Sequence, residues 1–292
     1  MNDLIEIMEE LNLKPNSRLG QTFLIDASVI QAQIDFAALS KKDTVLEIGP
    51  GLGVLTNKLA ERAKKVFAIE FDKKLYSYLK TIVLDNVEVL FGDAIKIDFP
   101  KFNKIVSNIP YQISSPLIFK LIKYQFELGI IMFQSEFAKR LIGTPNTKNY
   151  SRLTVMASYY YEIELMRNVP RTSFFPVPTV DSVIMSLRPK TTTEPAVVVN
   201  EPLFFQLVRI VFNERRKIIK NSILDQASEI ERFLRTTKLD GIKFKGKITK
   251  GDLRELVGKL SFIKCRPEQL TLEQLIQMSN EFYFTLRDRF YA

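Results

Sequence analysis

Between residues 43 and 187 short apolar, β-branched runs alternate with segments of helical period, and few folds accommodate that alternation. It is the pattern of βαβ units built around a mostly parallel sheet. Seven strands are predicted, at Thr44–Ile48, 66–70, Val87–Phe91, 104–107, 128–133, 162–169 and 182–187, with helices in the gaps between the first five. Ahead of them the spacing of Leu4, Met8 and Leu11 predicts a helix, followed by a loop at 18–24. The run Arg188-Pro189-Lys190-Thr191-Thr192-Thr193-Glu194-Pro195 has the composition of a linker, which divides the 292 residues into a domain at 1–190 and a second, helix-patterned one at 191–292. That length suits two domains of ordinary size.

The first predicted strand runs directly into Gly49-Pro50-Gly51-Leu52-Gly53 and then a helix-period segment. Glycines at such a turn permit positive φ and let a ligand approach the backbone at a helix start. A dinucleotide fingerprint wants Gly-x-Gly-x-x-Gly, and here Val54 stands where its third glycine would be. The Gly-x-Gly-x-Gly spacing instead resembles the S-adenosylmethionine loop of class I methyltransferases. Glu70 ends the second predicted strand, where a carboxylate can accept from both hydroxyls of a ribose. Asp93, followed by Ala94, ends the third and can accept from an adenine amino group. Taken singly these acids could be solvated strand ends; together they mark the carboxyl edge where open α/β sheets bind ligands.

The fourth strand delivers Asn108-Ile109-Pro110-Tyr111 to that same edge. An exocyclic adenine nitrogen is a poor nucleophile because its lone pair is delocalised, so a site for it must favour the pyramidal amine. The Asn108 side-chain carbonyl and a backbone carbonyl of Ile109-Pro110 can each accept one N–H, while Tyr111 stacks on the base. No strong general base is needed, which matters in a chain with no histidine and one cysteine. That composition excludes histidine-dependent triads, histidine-ligated metals, thiolate-clustered metal centres and intramolecular disulfides. A second aromatic comes from the proline-stiffened run 173–182, where one of Phe174 and Phe175 can face the base while the other packs.

Lysine and arginine total 42 against 33 acidic residues, a net charge of +9, so the chain suits a polyanionic partner. Read as one continuous helix, 209–220 puts Arg209, Asn213, Arg216, Lys217 and Lys220 on one face, with Phe205, Val208, Phe212 and Ile219 largely opposite. Arg215 lies in the same segment. Lys238, Lys243, Lys245, Lys247 and Lys250 add a second basic group, which is either a solvated surface or a phosphate contact. The first ten residues carry four acids and no basic residue, unlike a secretory signal or a transit peptide, and no apolar run approaches the roughly 18 to 20 residues that span a bilayer. A cytoplasmic protein without membrane or metal is expected.

Taken together, Leu19-Gly20-Gln21-Thr22-Phe23-Leu24, Val45 through Gly53, Glu70, Gly92-Asp93, Asn108-Ile109-Pro110-Tyr111 with Ser114-Ser115-Pro116, Phe174-x-Pro176-x-Pro178 and the segment 212–221 resemble the small-subunit ribosomal RNA adenine N6,N6-dimethyltransferases, KsgA-like proteins with archaeal and eukaryotic relatives. The resemblance implies a class I, Rossmann-like, S-adenosylmethionine-dependent methyltransferase with a mostly parallel seven-stranded sheet and a smaller all-helical C-terminal domain. It implies dimethylation at N6 of two adjacent adenosines in the 3′-terminal hairpin of small-subunit rRNA, acting as a monomer on the immature small subunit during its biogenesis.

By that resemblance Gln21, Thr22, Leu24, Gly49, Gly51, Gly53, Glu70, Asp93, Ala94 and Asn108 hold the donor. Asn108, Ile109, Pro110, Tyr111 and Phe174 handle the base, and Arg209, Arg215, Arg216, Lys217 and Lys220 meet RNA. The chain departs from the family pattern at Ile109 and at Thr22, where Asn, His or Cys is commoner. Two other readings fit the motifs: adenine methylation of another RNA or of DNA, and a non-catalytic assembly or RNA-binding factor on the same fold.

Overall fold

The computed structural model describes residues 6–8, 10–11, 13, 21–190, 197–239, 241–244 and 247–290, with side chains undescribed at 238–239 and 242–243. Leu4 of the predicted N-terminal helix, residues 18–20 of the predicted loop, most of the linker and Lys245 therefore lie outside the described residues. Two compact units emerge: 1–139 with 160–189, and 140–159 with 190–292.

In the first unit β1 (Phe23–Leu24) leads into α1 (Ala27–Ala37), then β2 (Thr44–Ile48), α2 (Val54–Arg62), β3 (Lys65–Glu70), α3 (Lys73–Ile82), β4 (Val87–Phe91) and β5 (Lys104–Asn108). There follow α4 (Ser114–Leu121), β6 (Leu128–Gln134), α5 (Ser135–Leu141) and, after α6 (Arg152–Tyr160) of the second unit, β7 (Tyr161–Val169), β8 (Phe174–Phe175) and β9 (Ser182–Pro189). Seven strands form one sheet in the order β4-β3-β2-β5-β6-β9-β7, parallel from β4 to β6, with β9 antiparallel to both its neighbours. Each predicted strand is present, with ends shifted by no more than two residues.

The central strands read as continuous apolar runs because helices cover both faces. Val45, Leu46, Ile105 and Val106 are fully buried, and α1 and α2 pack Val29, Ile34, Leu55 and Leu59 into one core with Val45 and Val106. The chain leaves β2 towards β3 and β4, then returns to the other side of β2 as β5. That reversal opens a crevice at the carboxyl ends of β2 and β5.

A second, two-stranded sheet was not legible in the sequence: β1 pairs with β8, Leu24 opposite Phe174 and Phe23 opposite Phe175. Asp26 explains the junction. Its carboxylate accepts from the Ser28 hydroxyl at 2.7 Å, from the Ser173 hydroxyl at 3.0 Å and from the Ser28 N–H, which caps α1, and those bonds hold it below the usual carboxylate range.

The second unit contains α6, α7 (Glu201–Asn213), α8 (Ile219–Asp225), α9 (Ala227–Thr236), α10 (Lys250–Gly258) and α11 (Leu272–Phe290), with a short hairpin of β10 (Lys238–Leu239) and β11 (Ile242–Lys243). Residues 140–159 group with these helices, although the sequence pattern divides the chain once, at 190. Tyr150 shows why: its hydroxyl donates to the Leu270 carbonyl at 2.7 Å and its ring packs edge-on to Phe212. Such distant contacts leave no local signature. Thr249 and Asp252 form a reciprocal cap on α10, and Arg289 of α11 bridges Asp252 and Glu255.

Candidate active site

The carboxyl edge of the sheet carries a cleft of about 260 Å³. Gln21, Thr22, Leu24, Gly49, Gly51, Glu70, Asp93, Ala94, Asn108, Ile109, Pro110, Tyr111 and Phe174 all line it, so one crevice collects nearly every donor and base residue expected from the sequence. Gly53 sits just beyond as the N-cap of α2.

Two glycines fix the geometry of the loop. Gly49 has φ +71°, and a Cβ there would lie 3.1 Å from the Pro110 ring, so the glycine loop and the Asn-Ile-Pro-Tyr turn can approach only without a side chain. Gly51 has φ +59°, a Cβ would crowd the Phe23 ring at 3.3 Å, and its N–H donates to Glu70 Oε2 at 3.2 Å. Buried Ser107 ties the two strand ends together: its hydroxyl donates to the Ile48 carbonyl at 2.6 Å and accepts the Ile48 N–H at 3.0 Å.

Glu70 Oε1 accepts the Asp72 N–H at 2.8 Å, so each carboxylate oxygen takes one backbone donor and keeps acceptor capacity for another. Burial pushes its pKa up. Phe71, 57% exposed, offers an apolar face beside it. Asp93 accepts the Ile95 N–H at 2.9 Å, which shapes the turn after β4 and aims the Ala94 segment at the cleft. An acceptor pair for a ribose, an apolar wall for a purine and a backbone cradle without side chains fit an adenosyl group.

At the other end Pro110 sets up a single 3₁₀ turn, Tyr111–Ile113, whose Ile113 N–H donates to the Pro110 carbonyl at 3.1 Å. The Tyr111 hydroxyl is 2.6 Å from the hydroxyl of fully buried Ser182, and burial raises its pKa. Asn108 Oδ1 accepts from Gln33 Nε2 at 2.7 Å. Phe174 is 3% exposed and belongs to the core while still lining the cleft; half-buried Phe175 packs against Phe23 and Leu75. Gln33, Ser107 and Ser182 are not among the site residues expected from the sequence. Gln33 alone left a signal: a polar residue on the inward stripe Val29, Ile30, Ile34, Ala37.

The basic segment differs from expectation. A continuous helix over 209–220 does not form: α7 ends at Asn213 and α8 starts at Ile219, whose preceding residue is extended. Arg209, Asn213, Arg216, Lys217 and Lys220 therefore do not share one helical face. Arg209 pairs with Glu229, Arg215 donates to the Lys148 and Tyr150 carbonyls, and Lys217 bridges Glu214 and Asp225. No side-chain partner is described for exposed Arg216 or half-buried Lys220. Among the described residues no group of acids and cysteine could hold a metal, and no helix is long and apolar enough to cross a membrane.

Residues 12–256 match the family model described as ribosomal RNA adenine dimethylase. The chain is 45% identical over 243 residues to a probable ribosomal RNA small subunit methyltransferase A of Thermococcus sibiricus, covering 83% of this chain and 86% of that one. It is 42% identical over 287 residues to the same-named protein of Methanosarcina acetivorans, covering 97% and 98%. A crystal structure of a dimethyladenosine transferase from Plasmodium falciparum superposes with a TM-score of 0.75 at 34% identity, over 90% of this chain and 98% of the other. The 23S rRNA methyltransferase ErmE superposes with a TM-score of 0.57 at 28% identity, over 90% and 99%.

Proposed function

The chain belongs to the ribosomal RNA adenine dimethylase family, and from that premise we propose which residues carry the reaction and where on the RNA it falls. It is an S-adenosylmethionine-dependent rRNA methyltransferase that dimethylates adenine at N6. The finer target is two adjacent adenosines in the 3′-terminal hairpin of small-subunit rRNA, met as a monomer on an immature subunit. The observation that carries the residue assignment is the convergence of the glycine loop, Glu70 and the Asn108 turn on one cleft.

When bound, the donor supplies an electrophilic methyl group on a sulfonium. Gly49 and Gly51 would admit it against the backbone, and the Glu70 carboxylate would accept from its ribose hydroxyls. Asp93 and Ala94 bound the purine. Asn108 Oδ1 accepts one N–H of the target amine, and a backbone carbonyl of Ile109-Pro110 takes the other. Two acceptors hold the nitrogen pyramidal and aim its lone pair at the methyl. Tyr111, fixed by Ser182, and Phe174, fixed through β1 and Asp26, bracket the extruded base, and an aromatic face tolerates the charge that develops on transfer. The alkylated amine then loses its proton to water, so no side-chain base takes part.

Incubation with methyl-labelled S-adenosylmethionine and three acceptors, immature small subunits, large-subunit RNA and duplex DNA, tests the substrate. Label in N6,N6-dimethyladenosine of the small-subunit hairpin is expected. Label confined to DNA or to large-subunit RNA would overturn the assignment.

A further inference from the structure

Gln33 sits in the middle of the inward stripe of α1, fully buried between Val29, Ile30, Ile34 and Ala37. A hydrocarbon of similar size would pack there without loss. The amide is a liability instead: Oε1 is buried and has no partner among the described residues, and an unsatisfied buried polar atom weakens a fold. Its other end makes one bond, Nε2 to Asn108 Oδ1, at 2.7 Å and across 75 positions of sequence. Core packing therefore does not explain an amide at position 33, whereas the state of Asn108 does.

We propose that Gln33 is a positioning residue for methyl transfer, fixing the flat Asn108 amide so that its oxygen, and not its NH₂ group, meets the target amine. The inference rests on the reading of Asn108 given above. A terminal amide torsion is broad and close to two-fold, so an untethered Asn108 samples the orientation in which its own N–H groups face those of the substrate. With the Gln33 NH₂ group facing Asn108, as the 2.7 Å contact has it, that orientation sets donor against donor. An amide oxygen accepts in two directions; Gln33 occupies one and leaves the second for adenine. Gln33 acts from behind, through Asn108, and does not line the cleft itself.

Gln33→Met and Gln33→Leu remove the donor while keeping a buried apolar side chain, and both also remove the orphaned oxygen. In the full-length protein, with S-adenosylmethionine and small-subunit rRNA as substrates, kcat should fall about tenfold or more. KM for the donor should stay within about twofold and the melting temperature should not drop, because neither donor contacts nor packing are lost. Asn108→Ala is run beside them. Turnover of both Gln33 variants within about twofold of wild type, with Asn108→Ala inactive, overturns the role of Gln33 and leaves that of Asn108 standing. A kcat loss matched by a lower melting temperature or by a raised donor KM in both variants also overturns it, since a packing defect would then suffice. If Asn108→Ala remains active, both readings fall together.

Discussion

Glu47, the next-to-last residue of β2, is 1% exposed, and its Oε2 has no hydrogen-bond partner among the described residues. Burial, reinforced by the nearby charge of Glu70, pushes its pKa from 4.5 to about 8. The folded protein thus prefers the neutral acid, whereas the unfolded chain releases the proton near pH 4.5. Between those values the native state binds more protons than the unfolded one, so stability falls as pH rises through the window from 4.5 to about 8. At about 1.4 kcal/mol for each tenfold change in proton affinity the full effect is roughly 5 kcal/mol, an upper bound because local relaxation and water entry soften it. Glu47→Gln keeps the shape without the proton equilibrium. Urea denaturation of both proteins at pH 5, 6, 7, 8 and 9 reads out this group together with its coupling to Glu70, because the other titrations are common to the pair. The variant should gain on wild type by about 2–5 kcal/mol between pH 5 and 9. Parallel stability curves would refute the reasoning.

Three further outcomes follow from the same geometry. Ser182→Ala leaves the buried Tyr111 hydroxyl without its partner and should cost about 1–3 kcal/mol in denaturant unfolding while slowing transfer; Tyr111→Phe combined with it should recover part of that loss, and strictly additive effects would count against the pairing. Arg216→Ala and Lys220→Ala should each weaken RNA binding and flatten its log–log salt dependence by about 0.7, whereas Arg209→Ala, already paired with Glu229, should leave the slope unchanged; equal slopes for all three would return the basic segment to an ordinary solvated surface. Glu70→Gln should weaken binding of S-adenosylmethionine in calorimetry by about tenfold or more, and wild-type affinity should fall as pH drops through the raised pKa of Glu70, because protonation removes an acceptor; a pH-independent affinity would remove Glu70 from the ribose site.

The parts of this protein that the sequence made legible are those governed by local pattern. Continuous apolar runs flanked by helix-period segments located all seven strands of the main sheet, and strand-end motifs located Gly49, Glu70, Asp93 and Asn108 because chemistry concentrates where a parallel sheet ends. What escaped is tertiary. The β1–β8 pair is two residues long on each side and depends on Asp26 reaching Ser173, far along the chain. The break between α7 and α8 follows no proline or glycine; the backbone turns where Ile219 and Lys220 donate to the Cys265 and Ile263 carbonyls, and a face counted through that break has no meaning. Gln33 was hidden for a related reason: hydrophobic period marks position 33 as buried but cannot say that its partner lies on β5.

In the mechanism we propose, the Asn108 amide, on a proline-fixed turn beside the donor cleft, readies adenine for alkylation without a proton-abstracting side chain. Single-turnover transfer from labelled S-adenosylmethionine to small-subunit rRNA by Asn108→Ala, with RNA affinity measured in parallel, addresses it directly. The expected rate is lower by about 10²–10³ or more, with RNA affinity unchanged within about twofold. A variant that methylates within about tenfold of the wild-type rate would contradict it.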